Sequence, residues 1–387
     1  MNIDRQWQTV SALGTAQTLA WASTYYLPAM LAAPMARELG VAVPTVFAAF
    51  SAALIVSALL GPSSGKAIDR WGGRPVLLGT NLVFAAGLGL LAIAQGAVGL
   101  FAAWVVIGIG MGSGLYEAAF AALVRLYGRD SRNAITGITL IAGFASTVGW
   151  PVSTLFEAQF GWRGACLAWA ALHLVLGLPL NALLPKAQAL VPVSPNTPSA
   201  DLVFDHAPQP STRAAALLAF VFAVTWFIST SMAAHLPRLL QAGGTSLAAA
   251  VAIGALVGPA QVAGRLLEFG FLRRLHPLLS ARLAASMHPL GAMALMFVGA
   301  PAAAVFAIFH GAGNGILTIA KGTLPLVLFG PQGYGRRQGV LMVPARIAQA
   351  LAPWLFGLLL DRWGAGSLWF SASLGLTAFG ALLLLPR

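Results

Sequence analysis

The chain of 387 residues is 58% hydrophobic and only 8% charged, and its mean hydropathy is +0.82. Soluble domains carry about 25% charged residues, so this composition excludes a soluble domain and indicates an integral membrane protein. The net charge of +12 does not indicate nucleic-acid binding, because the basic residues are scattered singly among apolar runs. The single cysteine, Cys166, excludes an internal disulfide and argues against a cysteine-ligated metal site.

Twelve stretches of the chain are long and apolar enough to cross a membrane, since a spanning helix needs about 20 apolar residues. We therefore predict an all-α membrane protein with twelve transmembrane spans, numbered 1 to 12 in chain order. The predicted spans are 9–33, 44–64, 75–95, 98–126, 133–157, 163–184, 214–239, 246–271, 281–299, 301–329, 339–360 and 366–385.

The loop between spans 2 and 3, GPSSGKAIDRWGGRP, concentrates charge in a chain that has little of it. Its glycines allow a tight turn, and Pro75 suits the first turn of the next helix. Short cationic loops stay on the cytoplasmic side of a membrane. The loop therefore predicts the orientation of its two flanking spans. Its charged residues are Lys66, Asp69, Arg70 and Arg74.

This loop resembles the signature G-x-L-x-D-R-x-G-R-[RK] between the second and third helices of the major facilitator superfamily. Ala67 stands where the family has leucine, and Gly73 replaces one basic residue. The resemblance implies two six-helix halves that rock about a central cavity. It also implies that Asp69 accepts hydrogen bonds from a neighbouring helix N-terminus and from Arg129 or Arg132, which closes the cytoplasmic side. The matching residues are Gly65, Asp69, Arg70, Gly72 and Arg74.

The distribution of the 22 Lys and Arg residues supports one orientation. With the N-terminus inside, the outer loops hold only Arg37, Arg163, Arg238 and Arg362. Three more basic residues fall within spans, and all the others lie at the predicted cytoplasmic ends. Because cytoplasmic loops carry an excess of Lys and Arg, we predict that both termini are cytoplasmic, in the inner (plasma) membrane of a bacterium.

Residues 185–213 form the only long polar segment, and their proline content is typical of a linker. They predict an N-terminal six-helix bundle (1–184), a cytoplasmic linker (185–213) and a C-terminal six-helix bundle (214–387). The halves also repeat, since GIGMGSG in span 4 corresponds to HGAGNG in span 10. Two parallel repeats are the layout that the resemblance implies.

Four ionisable residues are predicted to share one layer in the cytoplasmic half of the membrane. With a rise of about 1.5 Å per residue, they lie about 5–10 Å from the midpoints of their spans. Charges inside a membrane are costly, so each is a functional candidate. The resemblance places all four on helices that can face the cavity, and their cationic excess suits an anionic substrate. They are Glu117 in span 4, Arg265 in span 8, Lys321 in span 10 and Arg346 in span 11.

Arg265, in GPAQVAGRLLEF, resembles the arginine of the eighth helix in monocarboxylate transporters, which meets the substrate carboxylate. That family has an aspartate four residues earlier, where this chain has Gln261. Glu268 is a candidate replacement for the missing proton partner. The alternative is that Arg265 and Glu268 form an i,i+3 pair that only neutralises itself.

The other three residues of the layer also have two interpretations each. Lys321 binds substrate as a point charge or snorkels to the cytoplasmic surface. Arg346 forks onto a carboxylate, or forms a structural pair with Glu117 or a helix C-terminus. Glu117 is the candidate proton-carrying acid, because burial favours the protonated carboxyl and a nearby cation favours the ionised one. Its alternative is a fixed salt bridge.

Weaker candidates for substrate binding lie in spans 1 and 10. Tyr25 and Tyr26 face the cavity or belong to an interfacial aromatic belt. His310 and Asn314 bind substrate or serve as interhelical hydrogen-bonding groups. The gating set comprises Asp69, Arg70, Arg74, Arg129 and Arg132.

The function predicted from these features is proton-coupled symport of a small organic anion, such as a monocarboxylate, by alternating access. The alternative is a proton-driven efflux pump for amphipathic or toxic compounds; metal or metalloid transport is less favoured, since soft-metal ligands are lacking. The sequence contains no nucleotide-binding glycine loop, no H-E-x-x-H motif and no nucleophile elbow, so no motif indicates an enzyme. We expect a monomer that needs no cofactor and meets only its substrate, protons and membrane lipid.

Overall fold

A computed structural model describes residues 3–186 and 211–386, and all regular structure in these ranges is helical. Most of the predicted linker lies outside the described residues. The helices are α1 (Ile3–Ser23), α2 (Leu27–Leu39), α3 (Val43–Trp71), α4 (Gly73–Ile93), α5 (Gly96–Gly114), α6 (Tyr116–Tyr127), α7 (Arg132–Ala142), α8 (Ala145–Leu172), α9 (Leu178–Ala182), α10 (Thr212–Ala242), α11 (Leu247–Gly254), α12 (Val257–Gly270), α13 (Pro277–Val298), α14 (Ala303–Phe329), α15 (Tyr334–Trp363) and α16 (Ser367–Leu383).

The described residues contain 8 helical stretches that are long and apolar enough to cross a membrane. The stretch Gly96–Ala182 holds predicted spans 4, 5 and 6, and the stretch Tyr334–Leu383 holds spans 11 and 12. Helices α1 and α2 together correspond to span 1. The prediction of an all-α membrane protein with twelve spans is confirmed.

Four spans that were predicted as continuous helices are interrupted. Span 1 breaks at residues 24–26, span 4 at Leu115, span 5 at 143–144 and span 8 at 255–256. In span 1 the cause is a proline at the start of α2, which lacks an N–H group and disfavours helix before it. In span 4, Leu115 adopts an extended conformation (φ −87°, ψ −167°) directly after Gly114.

Buried side chains form two large clusters. One runs from Val10 to Leu184 with three additions from the second half of the chain, and the other runs from Ala214 to Leu385. The three additions are Leu326, Tyr334 and Ala350. They lie on α14 and α15, which therefore pack against the first cluster.

Spans 2 and 11 approach most closely at the end of the molecule that carries Asp69, called here the Asp69 side. A Cβ atom added to Gly65 would lie 1.9 Å from the backbone oxygen of Gly335, and one added to Gly335 would lie 2.4 Å from the oxygen of Gly65. One turn further, a Cβ on Gly339 would lie 2.5 Å from the carbonyl carbon of Gly61. Only glycine permits this backbone-to-backbone contact.

The opposite end is tied by ion pairs within each half. Glu38 accepts hydrogen bonds from Arg163 Nε at 2.6 Å and Trp162 Nε1 at 2.7 Å, which joins α2 to the middle of α8. These bonds, led by that from Arg163, hold the pKa of the Glu38 carboxyl below its usual range. The tie therefore persists above that lowered pKa and is lost as the pH falls through it. Arg238 and Asp361 form the corresponding pair between α10 and α15.

Candidate substrate site

Glu117 and Arg346 form an ion pair between the two halves of the chain. Arg346 Nη2 donates to Glu117 Oε2 at 2.8 Å; the Arg346 side chain is 3% exposed and the Glu117 side chain 18%. The other end of the guanidinium donates from Nη1 to Gln349 Oε1 at 2.9 Å. Gln349 Nε2 in turn donates to the Tyr25 hydroxyl at 2.8 Å. A continuous polar chain thus connects spans 4, 11 and 1.

The break in span 4 sets the position of Glu117. Because α6 begins at Tyr116, Glu117 lies in its first turn, where the free N–H groups and the helix dipole favour a negative charge. On the other side of the break, Gln17 Nε2 donates at 2.7 Å to the carbonyl of Gly114, at the end of α5. Neither the break nor the role of Gln17 was predicted, since hydropathy does not report backbone hydrogen bonding.

Lys321 lies in the same layer, against an aromatic ring. Its Nζ is 4.2 Å from the centroid of Trp226, and the Arg346 Cζ is 5.3 Å from that centroid. Lys321 is 5% exposed, so it does not snorkel to the surface in this structure. The charges of Glu117, Arg346 and Arg265 all act on its ammonium group. Trp226 is therefore a cation–π partner of two residues of the layer.

Arg265 is buried, and its guanidinium is only partly satisfied. It is 6% exposed, and its Nε and Nη1 find no hydrogen-bond partner within residues 3–186 and 211–386. The group packs onto the break in span 5, because a Cβ on Gly143 would lie 2.1 Å from Arg265 Nη1. Glu268, the neutralising partner considered from sequence, is bound elsewhere. A buried cation with open donors is costly unless an anion joins it.

Glu268 belongs to an ion pair at the Asp69 side. Arg132 Nη2 donates to Glu268 Oε1 at 2.8 Å, and the side chains are 20% and 3% exposed. Arg132 Nη1 also donates to the backbone oxygen of Leu275 at 3.0 Å. The bonds join the start of α7 to the end of α12. This partner differs from Arg265, the one named in the alternative interpretation of Glu268, because the end of span 8 meets the other half of the chain.

Opening of the Asp69 side is expected to increase in the variant Glu268→Gln, which leaves the Arg132 charge without its carboxylate. A hydrogen bond to a charged group contributes about 1.5–3 kcal/mol, so the ratio of closed to open molecules should fall by roughly 10- to 100-fold. Electron–electron distances between spin labels at Arg129→Cys and Arg273→Cys, in a Cys166→Ser background, measure this change. The exchanged pair Arg132→Glu with Glu268→Arg serves as the control that restores closure. Unchanged distances in Glu268→Gln would contradict the gating role.

The Asp69 carboxylate caps the start of span 11, as predicted, but its arginine partner is different. Asp69 Oδ1 and Oδ2 accept from the backbone N–H groups of Gly335 and Arg336, each at 2.8 Å. The predicted bond from Arg129 or Arg132 is wrong for this structure, because Arg132 is held by Glu268 and Arg129 is exposed. Instead, Arg125 Nε donates to the Asp69 backbone oxygen at 3.2 Å.

The remaining gating candidates flank this contact without bonding to the Asp69 carboxylate. Arg70 is exposed and lies with its Cζ 5.7 Å from the ring centroid of Trp71. Arg74 is half-buried in the first turn of α4. Both follow Asp69 closely in sequence.

Aromatic side chains border the polar chain at the break in span 1. Tyr25 and Tyr26 are half-buried, with ring centroids 5.3 Å apart. Trp21 contacts Tyr25 at 5.1 Å and Tyr116 at 4.9 Å, which brings the cluster next to Glu117. Tyr26 also meets Trp150 edge-on at 6.2 Å. The two tyrosines thus belong to an aromatic cluster beside the site.

His310 and Asn314 point away from the charged layer and into the second half. His310 Nδ1 and His288 Nδ1 lie 3.0 Å apart, and His288 Nε2 lies 3.2 Å from the Ser371 hydroxyl. Asn314 and both histidines line a void of about 30 Å³. The structure therefore shows His310 as an interhelical hydrogen-bonding group. In the first half His173 similarly contacts Ser23 and Asn81, at 2.8 and 2.9 Å, which no sequence pattern revealed.

A separate apolar cavity of about 660 Å³ lies between spans 1, 5, 6 and 8 and is open to the surface, since Phe144, Val148 and Leu266 of its wall are exposed. Its wall passes beside the layer, because Val262 and Leu266 flank Arg265 in α12, and Phe144 follows Gly143. The cavity is suited to apolar groups. Other residues of its wall are Leu19, Val148 and Trp169.

The family assignment follows from comparison with known proteins. The sequence profile of the Major Facilitator Superfamily matches residues 13–301. The chain belongs to this superfamily of transporters. Its fold agrees, since the structure of the human organic anion transporter MFSD10 superposes with a TM-score of 0.71, covering 99% of this chain and 100% of that chain at 17% identity.

Two related transporters have names that state a substrate class. The 4-hydroxybenzoate transporter PcaK of Pseudomonas putida is 24% identical over 258 residues, which are 58% of this chain and 57% of the relative. Monocarboxylate transporter 11 of the mouse is 28% identical over 372 residues, covering 87% of this chain and 79% of the relative. The resemblance to monocarboxylate transporters, first noted in span 8, thus extends over 87% of this chain.

Proposed function

We propose that this chain is a secondary transporter that moves a small organic monocarboxylate together with a proton by alternating access. The observation that carries the proposal is Arg265, a buried guanidinium whose Nε and Nη1 have no partner among the described residues. A carboxylate can accept a charge-assisted hydrogen bond from either of these donors. The names of PcaK and monocarboxylate transporter 11 supply the same substrate class.

The charged layer provides a mechanism for recognising the anion. Arg346 already holds the carboxylate of Glu117, whereas Arg265 and Lys321 have no carboxylate within 4.0 Å in the described part of the chain. A substrate carboxylate would bind beside these two basic side chains and compete with Glu117 for Arg346. The cluster around Tyr25 and Trp21 gives the carbon skeleton an apolar wall. Small aromatic and small aliphatic carboxylic acids are therefore both suitable probes.

Alternating access would arise from rocking of the two six-helix bundles. The Asp69–α15 contact and the Arg132–Glu268 pair close the Asp69 side, which the distribution of Lys and Arg assigns to the cytoplasm. Breaking both would open the layer to that side. We place the protein in the plasma membrane of a bacterium with both termini cytoplasmic, acting as a symporter.

A second candidate function is proton-driven efflux of amphipathic compounds. The observation that favours it is the apolar cavity of about 660 Å³ beside Arg265, which has the size of a small-molecule site. In this function Glu117 would exchange protons for the exported compound, and the arginines would be structural. The two functions predict different substrates and different effects of replacing Arg265.

The test is uptake by purified protein in liposomes, with labelled 4-hydroxybenzoate and lactate as probes and an imposed pH gradient. Accumulation is expected, and a protonophore should abolish it. Arg265→Met should lower carboxylate affinity by roughly 10- to 100-fold, since hydrogen bonds to charged groups contribute about 1.5–3 kcal/mol. Because the variant removes an uncompensated buried charge, its thermal stability should be equal or higher.

Two outcomes of this test would separate carboxylate symport from efflux. Wild-type carboxylate binding by Arg265→Met would reject the assigned site. Movement of a cationic dye without any carboxylate uptake would instead support efflux.

A further inference from the structure

The two basic residues of the layer that lack a carboxylate partner differ in their chemistry. Arg346 is paired with Glu117 and Arg132 with Glu268, each at 2.8 Å. Arg265 and Lys321 have no carboxylate partner within residues 3–186 and 211–386. A guanidinium keeps its proton in proteins, whereas a buried amine gains and loses one readily. Of the two residues, Lys321 is therefore the one that can gain a proton when an anion binds.

The surroundings of Lys321 offer its amino group no hydrogen-bond acceptor among the described residues. The face of Trp226 lies 4.2 Å from Nζ, and a cation–π contact does not replace acceptors for three donors. The charged groups that act on it are Glu117 from α6, Arg346 from α15 and Arg265 from α12. Other titratable groups near the layer are the hydroxyls of Tyr25 and Tyr116 and that of Tyr334, which donates to the Gly322 oxygen at 2.7 Å.

The charged groups around Lys321 carry more positive than negative charge. They comprise two guanidinium groups, those of Arg265 and Arg346, and one carboxylate, that of Glu117, which is bound to Arg346. An additional proton in such a buried place is stabilised mainly by a second anion. The transported carboxylate is the group that brings one, so binding of the anion and binding of a proton to the amine would support each other.

We propose that Lys321 carries the transported proton, taking it up when the substrate carboxylate binds beside it and releasing it when the carboxylate leaves. This inference rests on the proposed function and replaces Glu117 in the proton-carrying role. The nitrogen lone pair forms an N–H bond with a proton from a hydronium ion on the open side, which leaves water. After the halves rock, the bond breaks and the proton returns to water on the other side. The ammonium–carboxylate pair adds no net charge to the moving site.

The experiment measures proton uptake on carboxylate binding, with 4-hydroxybenzoate added to purified protein in weakly buffered detergent containing a pH indicator. The wild type should take up about one proton per carboxylate bound, as pairing of one base with one anion requires. Glu117→Gln should still take up the proton. Lys321→Arg, which is permanently charged, should bind the probe without proton uptake and should exchange it across liposomes but not accumulate it under a pH gradient.

Each outcome decides a different point. Loss of proton uptake in Glu117→Gln with binding intact, or pH-driven accumulation by Lys321→Arg, would overturn the inference and leave carboxylate transport standing. Should either variant fail to fold, the combination of Glu117→Gln with Arg346→Gln, which leaves neither charge unpaired, decides alone: proton uptake on probe binding should persist in it, and loss of that uptake would overturn the inference. Absence of carboxylate binding by the wild type would reject the proposed function, and with it this role of Lys321.

Discussion

Single replacement of Glu117 or Arg346 is expected to destabilise the protein strongly, whereas replacing both should restore stability without restoring transport. The pair is almost fully buried, with side chains 18% and 3% exposed. Removing one partner leaves a buried charge uncompensated, which costs about 3–5 kcal/mol. Replacing both with neutral side chains removes that penalty, so the double variant isolates function from folding.

The variants are Glu117→Gln, Arg346→Gln and their combination, compared by thermal unfolding in detergent and by carboxylate uptake. The combined variant should unfold near the wild-type temperature. Its uptake should nevertheless fall by roughly 10- to 100-fold, because Arg346 is expected to contact the substrate through hydrogen bonds of about 1.5–3 kcal/mol. Wild-type uptake by the double variant would show that the pair is only structural.

The variant Gly65→Ala is expected to abolish transport by preventing closure of the Asp69 side. Its Cβ would lie 1.9 Å from the backbone oxygen of Gly335, so an entire helix must move. The reciprocal Gly335→Ala should act in the same way, since its Cβ would lie 2.4 Å from the Gly65 oxygen. The state open to the Asp69 side should then dominate, because the opposite end of the molecule does not involve this contact.

Spin-label distances between Arg70→Cys and Arg336→Cys, in a Cys166→Ser background, report this closure directly. Gly65→Ala should shift the distribution to longer distances, and uptake should be lost. Gly79→Ala is the matched control, because nothing lies within 4 Å of a Cβ at that glycine of α4. A short wild-type distance in Gly65→Ala would show that the helices tolerate the added methyl group.

Hydropathy and charge were sufficient to predict the membrane spans, because they follow from transfer of side chains into lipid. The helix breaks were not predictable in this way. Leu115 is apolar and carries no hydropathy signal of a break, yet its backbone is extended, and the carbonyl of Gly114 before it is bound by Gln17, almost a hundred residues away. This break decides where Glu117 lies, so the local geometry of the candidate site depends on a tertiary contact.

Partners across the two halves were equally hard to predict from sequence. Spacing along one helix suggested that Glu268 meets Arg265, but the carboxylate binds Arg132 of the other half. Placing the four charged residues in one layer needed only helical rise, and the structure brings Glu117, Arg346 and Lys321 together. His310 was a candidate only as a polar residue of span 10, and sequence does not tell which side of a helix a residue occupies. Its ring lies against His288.

Because Asp69 binds span 11 through main-chain atoms, the contact places few limits on the amino-acid sequence of that span. Its carboxylate accepts hydrogen bonds from two main-chain N–H groups, those of Gly335 and Arg336, and from no side chain of that described segment. Every amino acid except proline supplies such a group. Position 336 can therefore drift through evolution without loosening the contact, while position 335 is restricted by size alone. A search for complementary pairs of side chains across the two positions would find no trace of this contact.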